Sequence, residues 1–420
     1  MTSDREILHS LFGAALEAAK PEGKFAGRLP TPPRGRTIVL GAGKAAASMA
    51  AAFEAAYGGP CEGLVVTRYG HRAATRGVEV ALAAHPVPDA AGRAAAERIL
   101  AAAKGAGPDD LVVFLISGGA SALLTLPADG ITLAEKQTIT RALLASGAPI
   151  GAMNRVRKAL SAIKGGRLAE AVAPARLVTY AISDIPGDDV GLIGSGPTIG
   201  VPPPPPEVFA ILAEYKIEIP ANVRRAIEAN AARAVRPAEG AVHLLAAPMA
   251  ALRAAAARAR ALGLTPLILG DAIEGEAREV GRVMAGIAQS VRRHGEPLAP
   301  PAVLLSGGET TVTVRGGGRG GRNAEFLLAL KAALAGDPAA GSIAALACDT
   351  DGIDGSEDNA GAWFGDARPL TPGEVDADRA AMAAHLARND AYSYFANAGL
   401  AVVTGPTLTN VNDFRAVLVR

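Results

Sequence analysis

Six apolar residues run without a polar break from Leu111 to Ile116, and Ser117-Gly118-Gly119-Ala120-Ser121 follows at once. No other stretch restricts the fold of this chain as much. So short and uniform a run suits a strand buried on both faces of a parallel sheet. Such sheets need helical crossovers, so an α/β architecture follows. The paired glycines allow a sharp turn and the close approach of a ligand. Ala122-Leu123-Leu124 reads as the first turn of a helix. A strand, a glycine turn and a helix start make an anion site, because free N–H groups point outward and the helix dipole favours negative charge. Ser117 and Ser121 add hydroxyl donors. The plainer reading is a tight strand-to-helix turn whose glycines serve only packing.

At 420 residues the chain exceeds one ordinary core, so two domains are expected, with the division at 238/239. Lys and Arg number 42 against 41 Asp and Glu. That balance leaves no electrostatic footprint for nucleic acid or an acidic membrane surface. The two cysteines, Cys61 and Cys348, stand far apart without a CxxC partner, which argues against a disulfide framework and a zinc site. The N-terminus carries charge where a signal peptide would be apolar, and no apolar run is long enough for a bilayer. A cytoplasmic location is expected. Ser3 and Glu6 fit a capping box, and Ile7, Leu8, Leu11, Phe12 and Ala15 line one helical face.

A strand over 37–40 leads into Gly41-Ala42-Gly43-Lys44 and an Ala-rich helix. Gly41-x-Gly43-x-x-Ala46 matches a loose dinucleotide fingerprint. The next strand ends in Arg68-Tyr69-Gly70, where a dinucleotide fold wants an acid. Lys44, beside its glycine, suits an anion better, although a lysine in a first helical turn is commonly a solvated surface residue. His85, within His85-Pro86-Val87-Pro88, reads first as structural. A helix over 150–172, broken at Gly165-Gly166, buries Met153, Val156, Leu160 and Ile163. Helical spacing sets Arg157 and Lys164 on one flank of that stripe, with Ser161 beside them. Two cations there want an anion, or they snorkel. Asp184 ends a strand over 176–182, at the edge where open α/β sheets bind ligands, and suits a metal ligand or a general base. Turn capping better explains Asp188 and Asp189.

Pro202 to Pro206 read as a stiff spacer, followed by helices to about 236 and a second α/β region from Leu244. There, Ser306-Gly307-Gly308-Glu309-Thr310 again follows an apolar run. Arg322 opens a helix after the glycine-rich 315–321 stretch, its planar fork suited to a multivalent anion. The alternative is a mobile basic loop. Asp349 and Asp351 end a strand over 343–347 and are candidate magnesium ligands. No Walker A pattern is present.

LISGGASALL, MNRVRKALSAIKGGRLAE, SDIPGDD with GSGPT, SGGETTVTV with GRGGRNAEF, DTDGIDG and TGPTLTNVNDF together resemble the class II glycerate 2-kinases, the MOFRL family, whose members often carry the name hydroxypyruvate reductase. The resemblance covers nearly the whole chain in order. It implies two α/β/α three-layer domains with mainly parallel sheets, an N-terminal Rossmann-like one over 1–238 and a MOFRL-type one over 239–420, with the active site in the cleft between them. It also implies ATP, a divalent cation (Mg2+ or Mn2+) and D-glycerate phosphorylated at the 2-hydroxyl. Lys44 and Arg322 become the catalytic cations, with Asp184 as base or metal ligand. Ser117, Gly118, Gly119, Ser121, Asn154, Arg157, Lys164, Gly194, Ser195 and Gly196 become candidates for substrate and phosphate. Gly43, Gly307, Gly308, Glu309, Thr310, Gly321 and Asn323 become candidates for nucleotide, and Asp184, Asp349 and Asp351 for metal. Small molecules are the expected partners, not nucleic acid or membrane, and a homodimer is compatible. Two positions depart from the pattern: Ala324 replaces a longer polar residue, and Leu408 a glycine. Rival readings are an NAD(P)H-dependent hydroxypyruvate reductase and a non-enzymatic anion-binding protein.

Overall fold

The computed structural model describes residues 2–233, 240–337, 340–365 and 371–420. Two compact units emerge, one of residues 20–184 and 188–246, the other of 1–19, 185–187 and 247–420. The division expected at 238/239 lies outside the described residues.

Six parallel strands form the sheet of the first unit: β1 (Thr37–Ala42), β2 (Glu62–Arg68), β3 (Val78–Ala83), β4 (Leu111–Ile116), β5 (Arg176–Ile182) and β6 (Ala241–Ala246). Their order is β3-β2-β1-β4-β5-β6. All six residues of β4 are buried, as the unbroken apolar run requires. The chain adds strands on one side of β1, then crosses to β4 and adds them on the other. The crevice at the carboxyl ends of β1 and β4 is therefore the topological switch point, the place where open α/β sheets bind ligands. Residues 241–246, expected to begin the second region, instead close the edge of this sheet beside β5.

Helices Leu133–Ala145, Ile150–Ala159, Pro205–Glu214 and Ala221–Ala232 share one apolar core through Ile139, Val156, Val208 and Val223. The proline run is not all spacer. Pro205 and Pro206 open the third of these helices, where their missing N–H groups cost nothing. The helix expected over 150–172 is two pieces, Ile150–Ala159 and Arg167–Val172. Leu160 caps the first piece, and Ser161 leaves the helix to bridge Pro127. Arg157 and Lys164 therefore share no helical flank.

The second unit holds β7 (Thr265–Gly270), β8 (Gly275–Glu276), β9 (Ala302–Gly308), β10 (Thr310–Thr311), β11 (Ile343–Asp349), β12 (Gly361–Phe364), β13 (Ala401–Val402) and β14 (Asp413–Val419). The main sheet runs β13-β12-β11-β14-β9-β7, with β8 and β10 as a separate parallel pair. Parallel pairs predominate over the chain, so the α/β class with mainly parallel sheets stands as expected. This second sheet departs in detail: β7–β9 is parallel, and the β14, β12 and β13 pairings are antiparallel. Ser306-Gly307-Gly308 lies within β9, paired to Arg415, Phe414 and Asp413, so it is ladder and not a second glycine turn. Helix Asp4–Ala19 belongs to this unit, not to the first. Its Ser3–Glu6 capping box forms, and its predicted apolar face is buried. Among the described residues no helix is long and apolar enough to cross a membrane.

Candidate functional site

In the first unit, two loops at the switch point are stitched together. Lys44 N–H donates to the Gly118 carbonyl at 2.8 Å, and Ala45 N–H to the Ser117 hydroxyl at 2.9 Å. Gly43 makes this possible: at φ +134° its missing Cβ would stand 2.2 Å from the Ser117 hydroxyl. That clearance is filled by protein, not reserved for a ligand. The Lys44 stem lies against Gly119, which also faces the imidazole of His85. Lys44 is half-buried, and its backbone is fixed at the crevice.

The expected anion site of Ser117 to Ser121 changes character. Helix Ala120–Leu123 lasts one turn and contributes little dipole. The Ser117 hydroxyl is spent on Ala45, and the Ser121 hydroxyl meets that of Ser195 at 2.6 Å. Ser195 in turn donates to the Asn154 side chain at 3.0 Å, and Lys164 Nζ donates to the Gly194 carbonyl at 3.0 Å. Ser121, Asn154, Lys164, Gly194 and Ser195, remote in sequence, thus form one polar cluster. Gly196 packs against the Gly191 and Ile199 carbonyls, a close approach that serves the loop itself. Lys164 is fully buried, and burial followed by the charges of Lys136, Arg157 and Lys158 pushes its ammonium well below the usual lysine range. Lys136, which the sequence reading did not single out, is 2% exposed. Burial, then the charge of Arg157, lowers it to about 7. Asp184 follows β5, the neighbour of β4, and is half-buried. Asp189 accepts from Gly191 N–H at 2.9 Å, the expected turn-capping role.

In the second unit, Arg322 opens helix Arg322–Leu334 and is gripped by carboxylates. Its Nε donates to both oxygens of Asp413 (2.9 and 3.0 Å) and its Nη2 to Asp349 at 2.8 Å; Nη1 pairs with the exposed Glu309 at 3.2 Å. Burial opposes the charge, but Asp413, Glu309 and Asp349 together hold the guanidinium well above the ordinary arginine range. Asp413 also accepts from Asn323 at 2.7 Å and from the fully buried Arg415 at 2.6 Å. Asp354 caps the helix from outside it, accepting from Asn323 N–H and Ala324 N–H, each at 2.9 Å. Gly321 lets it approach, since a Cβ there would meet Asp354 at 2.3 Å. The 315–321 stretch is anchored: Arg315 N–H donates to Asn389 at 2.7 Å and Arg319 N–H to Asp390 at 3.0 Å. A mobile basic loop is thereby set aside. Gly307 and Gly308 sit in β9, and Thr310 accepts from Arg415 at 3.3 Å.

DTDGIDG and TGPTLTNVNDF fold as one piece. Thr350 N–H donates to the Asn412 carbonyl at 3.1 Å, and Val411 N–H to the Thr350 hydroxyl at 2.9 Å. Leu408, the departure from an expected glycine, has φ +62°, the left-handed region that favours glycine. Ala324 is fully buried in the core of this unit.

As metal ligands, Asp349 and Asp351 fit poorly. Asp349 gives one oxygen to Arg322 and the other to Asp351 N–H at 3.0 Å, and Asp351 accepts from Ile353 N–H at 2.8 Å. Among the described residues no three His, Cys, Asp or Glu side chains are grouped to hold a metal. Asp413, Asp354, Arg415 and Lys136 escaped the sequence reading. The first two stand inside quoted motifs, but only contacts across the fold show what they grip.

Comparison with known proteins adds the lineage. The model for a domain of unknown function, DUF4147, matches residues 7–228, and the MOFRL family model matches 302–413. The chain is 52% identical to an Agrobacterium vitis protein provisionally named hydroxypyruvate reductase, over 99% of this chain and 95% of that one. It is 38% identical to a D-glycerate 2-kinase of Thermotoga maritima, over 95% and 94%. The crystal structure of glycerate kinase from Thermotoga maritima superposes with a TM-score of 0.83 at 35% identity, covering 99% of each chain.

Proposed function

The chain belongs to the glycerate kinase family that carries a MOFRL domain, and from that premise we propose that it transfers the γ-phosphoryl group of ATP to the 2-hydroxyl of D-glycerate. The observation that carries this reading is Lys44, a cation fixed by the Ser117-Gly118 backbone at the β1/β4 switch point. Phosphoryl transfer asks a protein for little covalent work; it asks for cations around the moving group and an aligned hydroxyl. In the proposed step the 2-hydroxyl oxygen attacks the γ-phosphorus and the bond to the β–γ bridging oxygen breaks. ADP leaves with that electron pair, and the hydroxyl proton passes to Asp184, which follows the strand next to β4. Lys44 neutralises charge that spreads over the phosphoryl oxygens.

Arg322 serves the nucleotide phosphates in this reading. Asp413 and Asp349 hold its fork, and the exposed Glu309 is the carboxylate a phosphate displaces. A divalent cation arrives with ATP as the counter-ion of its phosphates, since Mg2+ needs few protein ligands when phosphates supply the rest. The rival reductase reading lacks its ribose acid, because β2 ends in Arg68.

The test is direct. Purified protein with D-glycerate, ATP and magnesium should form 2-phosphoglycerate, identified by phosphorus NMR. It should oxidise no NADH with hydroxypyruvate. Lys44→Ala should lower kcat on the order of 100- to 1000-fold. NADH turnover without ATP consumption would overturn the proposal.

A further inference from the structure

Lys136 stands in helix Leu133–Ala145, one turn before Ile139 on the side that packs against Val156 and Leu160. It is 2% exposed, and its Nζ has no hydrogen-bond partner among the described residues. An ammonium taken from water without a partner is among the costliest groups a core can hold. The region contains more of the same charge. Lys164 is fully buried and donates only to backbone carbonyls, Gly194 at 3.0 Å and Ala120 at 3.4 Å. Arg157 is half-buried and keeps part of its surface toward solvent. The charge of Arg157 bears on Lys136, and both bear on Lys164, so the three lie within electrostatic reach of one another. Lys158 is answered by Asp189, but among the described residues none of the other three draws on an acidic side chain. Structural cations in cores come with carboxylates, as the fully buried Arg415 does with Asp413.

We infer that Lys136, Arg157 and Lys164 form one receptor for a small oxyanion, with Lys136 as its buried wall. The nature of that anion rests on the glycerate reading above: it is the substrate carboxylate. The neighbouring Ser121–Ser195–Asn154 chain supplies neutral hydrogen-bonding groups suited to hydroxyls of the same molecule.

The experiment measures ligand binding to the full chain by calorimetry without turnover, so it stands apart from any failure of the kinase assay. D-glycerate and inorganic phosphate are titrated separately, with ATP as a control for an intact fold. Lys136→Met keeps the length and removes the charge. It should weaken D-glycerate binding at least tenfold, leave ATP binding unchanged, and leave the ligand-free melting temperature the same or higher, because an unpaired buried charge is gone. Lys136→Arg should bind D-glycerate more tightly than Lys136→Met. Unchanged D-glycerate affinity in Lys136→Met would overturn the inference. So would a large fall in its ligand-free melting temperature, which would mean the amine holds the fold together. Phosphate binding that depends on Lys136, with D-glycerate binding that does not, would overturn the carboxylate assignment.

Discussion

Asp413 holds Arg322 through Nε with both carboxylate oxygens, at 2.9 and 3.0 Å, across 91 residues of sequence. The arginine opens a helix and the aspartate opens β14, which aligns Asp413 opposite Asp349 on β11. The fork is thus set from a strand pair before any ligand arrives. A lysine cannot take up both carboxylates from one planar group. Arg322→Lys should therefore fail to restore activity, and Arg322→Ala should lower kcat on the order of 100- to 1000-fold. Asp413→Asn, which leaves Arg415 and Arg322 short of a charge, should lower the melting temperature as well as kcat. Normal kcat in Arg322→Lys, read in a coupled ADP assay, would mean that only charge matters there.

Asp184 is half-buried at the ligand edge of the first sheet, after a strand that is buried from Leu177 onward. Its replacement should disturb chemistry more than folding. Asp184→Asn is expected to melt within a few degrees of the parent while kcat falls by orders of magnitude. A calorimetric scan and a steady-state assay on the same preparation decide it; unfolding, or normal turnover, would count against a catalytic role.

Asp354 is pushed up to about 6 from an ordinary 3.8, chiefly by burial, against the pull of the Asn323 and Ala324 N–H groups. A raised carboxylate favours the protonated folded form. The stability it contributes is fully present below 3.8 and is lost as pH rises through about 6. The difference amounts to about 3 kcal/mol at most. Asp354→Asn does not titrate, so its deficit against the parent should shrink between pH 4 and pH 7. Urea midpoints for both proteins across that range measure it; a constant deficit would show that Asp354 ionises normally.

Two glycines separate close packing from helix propensity. A Cβ at Gly43 would meet the Ser117 carbonyl oxygen at 2.6 Å as well as its hydroxyl, on backbone that an L side chain rarely adopts. Gly43→Ala should cost several kcal/mol and disorder the Lys44 turn. Gly286, exposed in helix Ala277–His294, has nothing within 4 Å of such a Cβ. Gly286→Ala should add about 0.5 to 1 kcal/mol. Thermal midpoints of the two variants should move in opposite directions.

Periodicity and run length, which are local, settle much of this molecule. Leu111 to Ile116 must be a buried strand because it contains nothing water can use, and the Ser3–Glu6 box must start a helix because both partners lie one turn apart. The positions of Lys44, Arg322 and Asp184 at element ends were legible for the same reason. What chain neighbours cannot state is what a side chain touches. The break after Ala159 removed the helical stripe assigned to Arg157 and Lys164, because Ser161 finds its bridge at Pro127 instead. Ser306-Gly307-Gly308 repeats the letters of the first glycine turn, yet pairing with β14 makes it strand. Nothing beside Lys136 in the chain marks it out, yet only 2% of it is exposed in the folded molecule. The carboxylates that orient Arg322 come from two strands far along the chain, since charge and burial act through space and the sequence records only order.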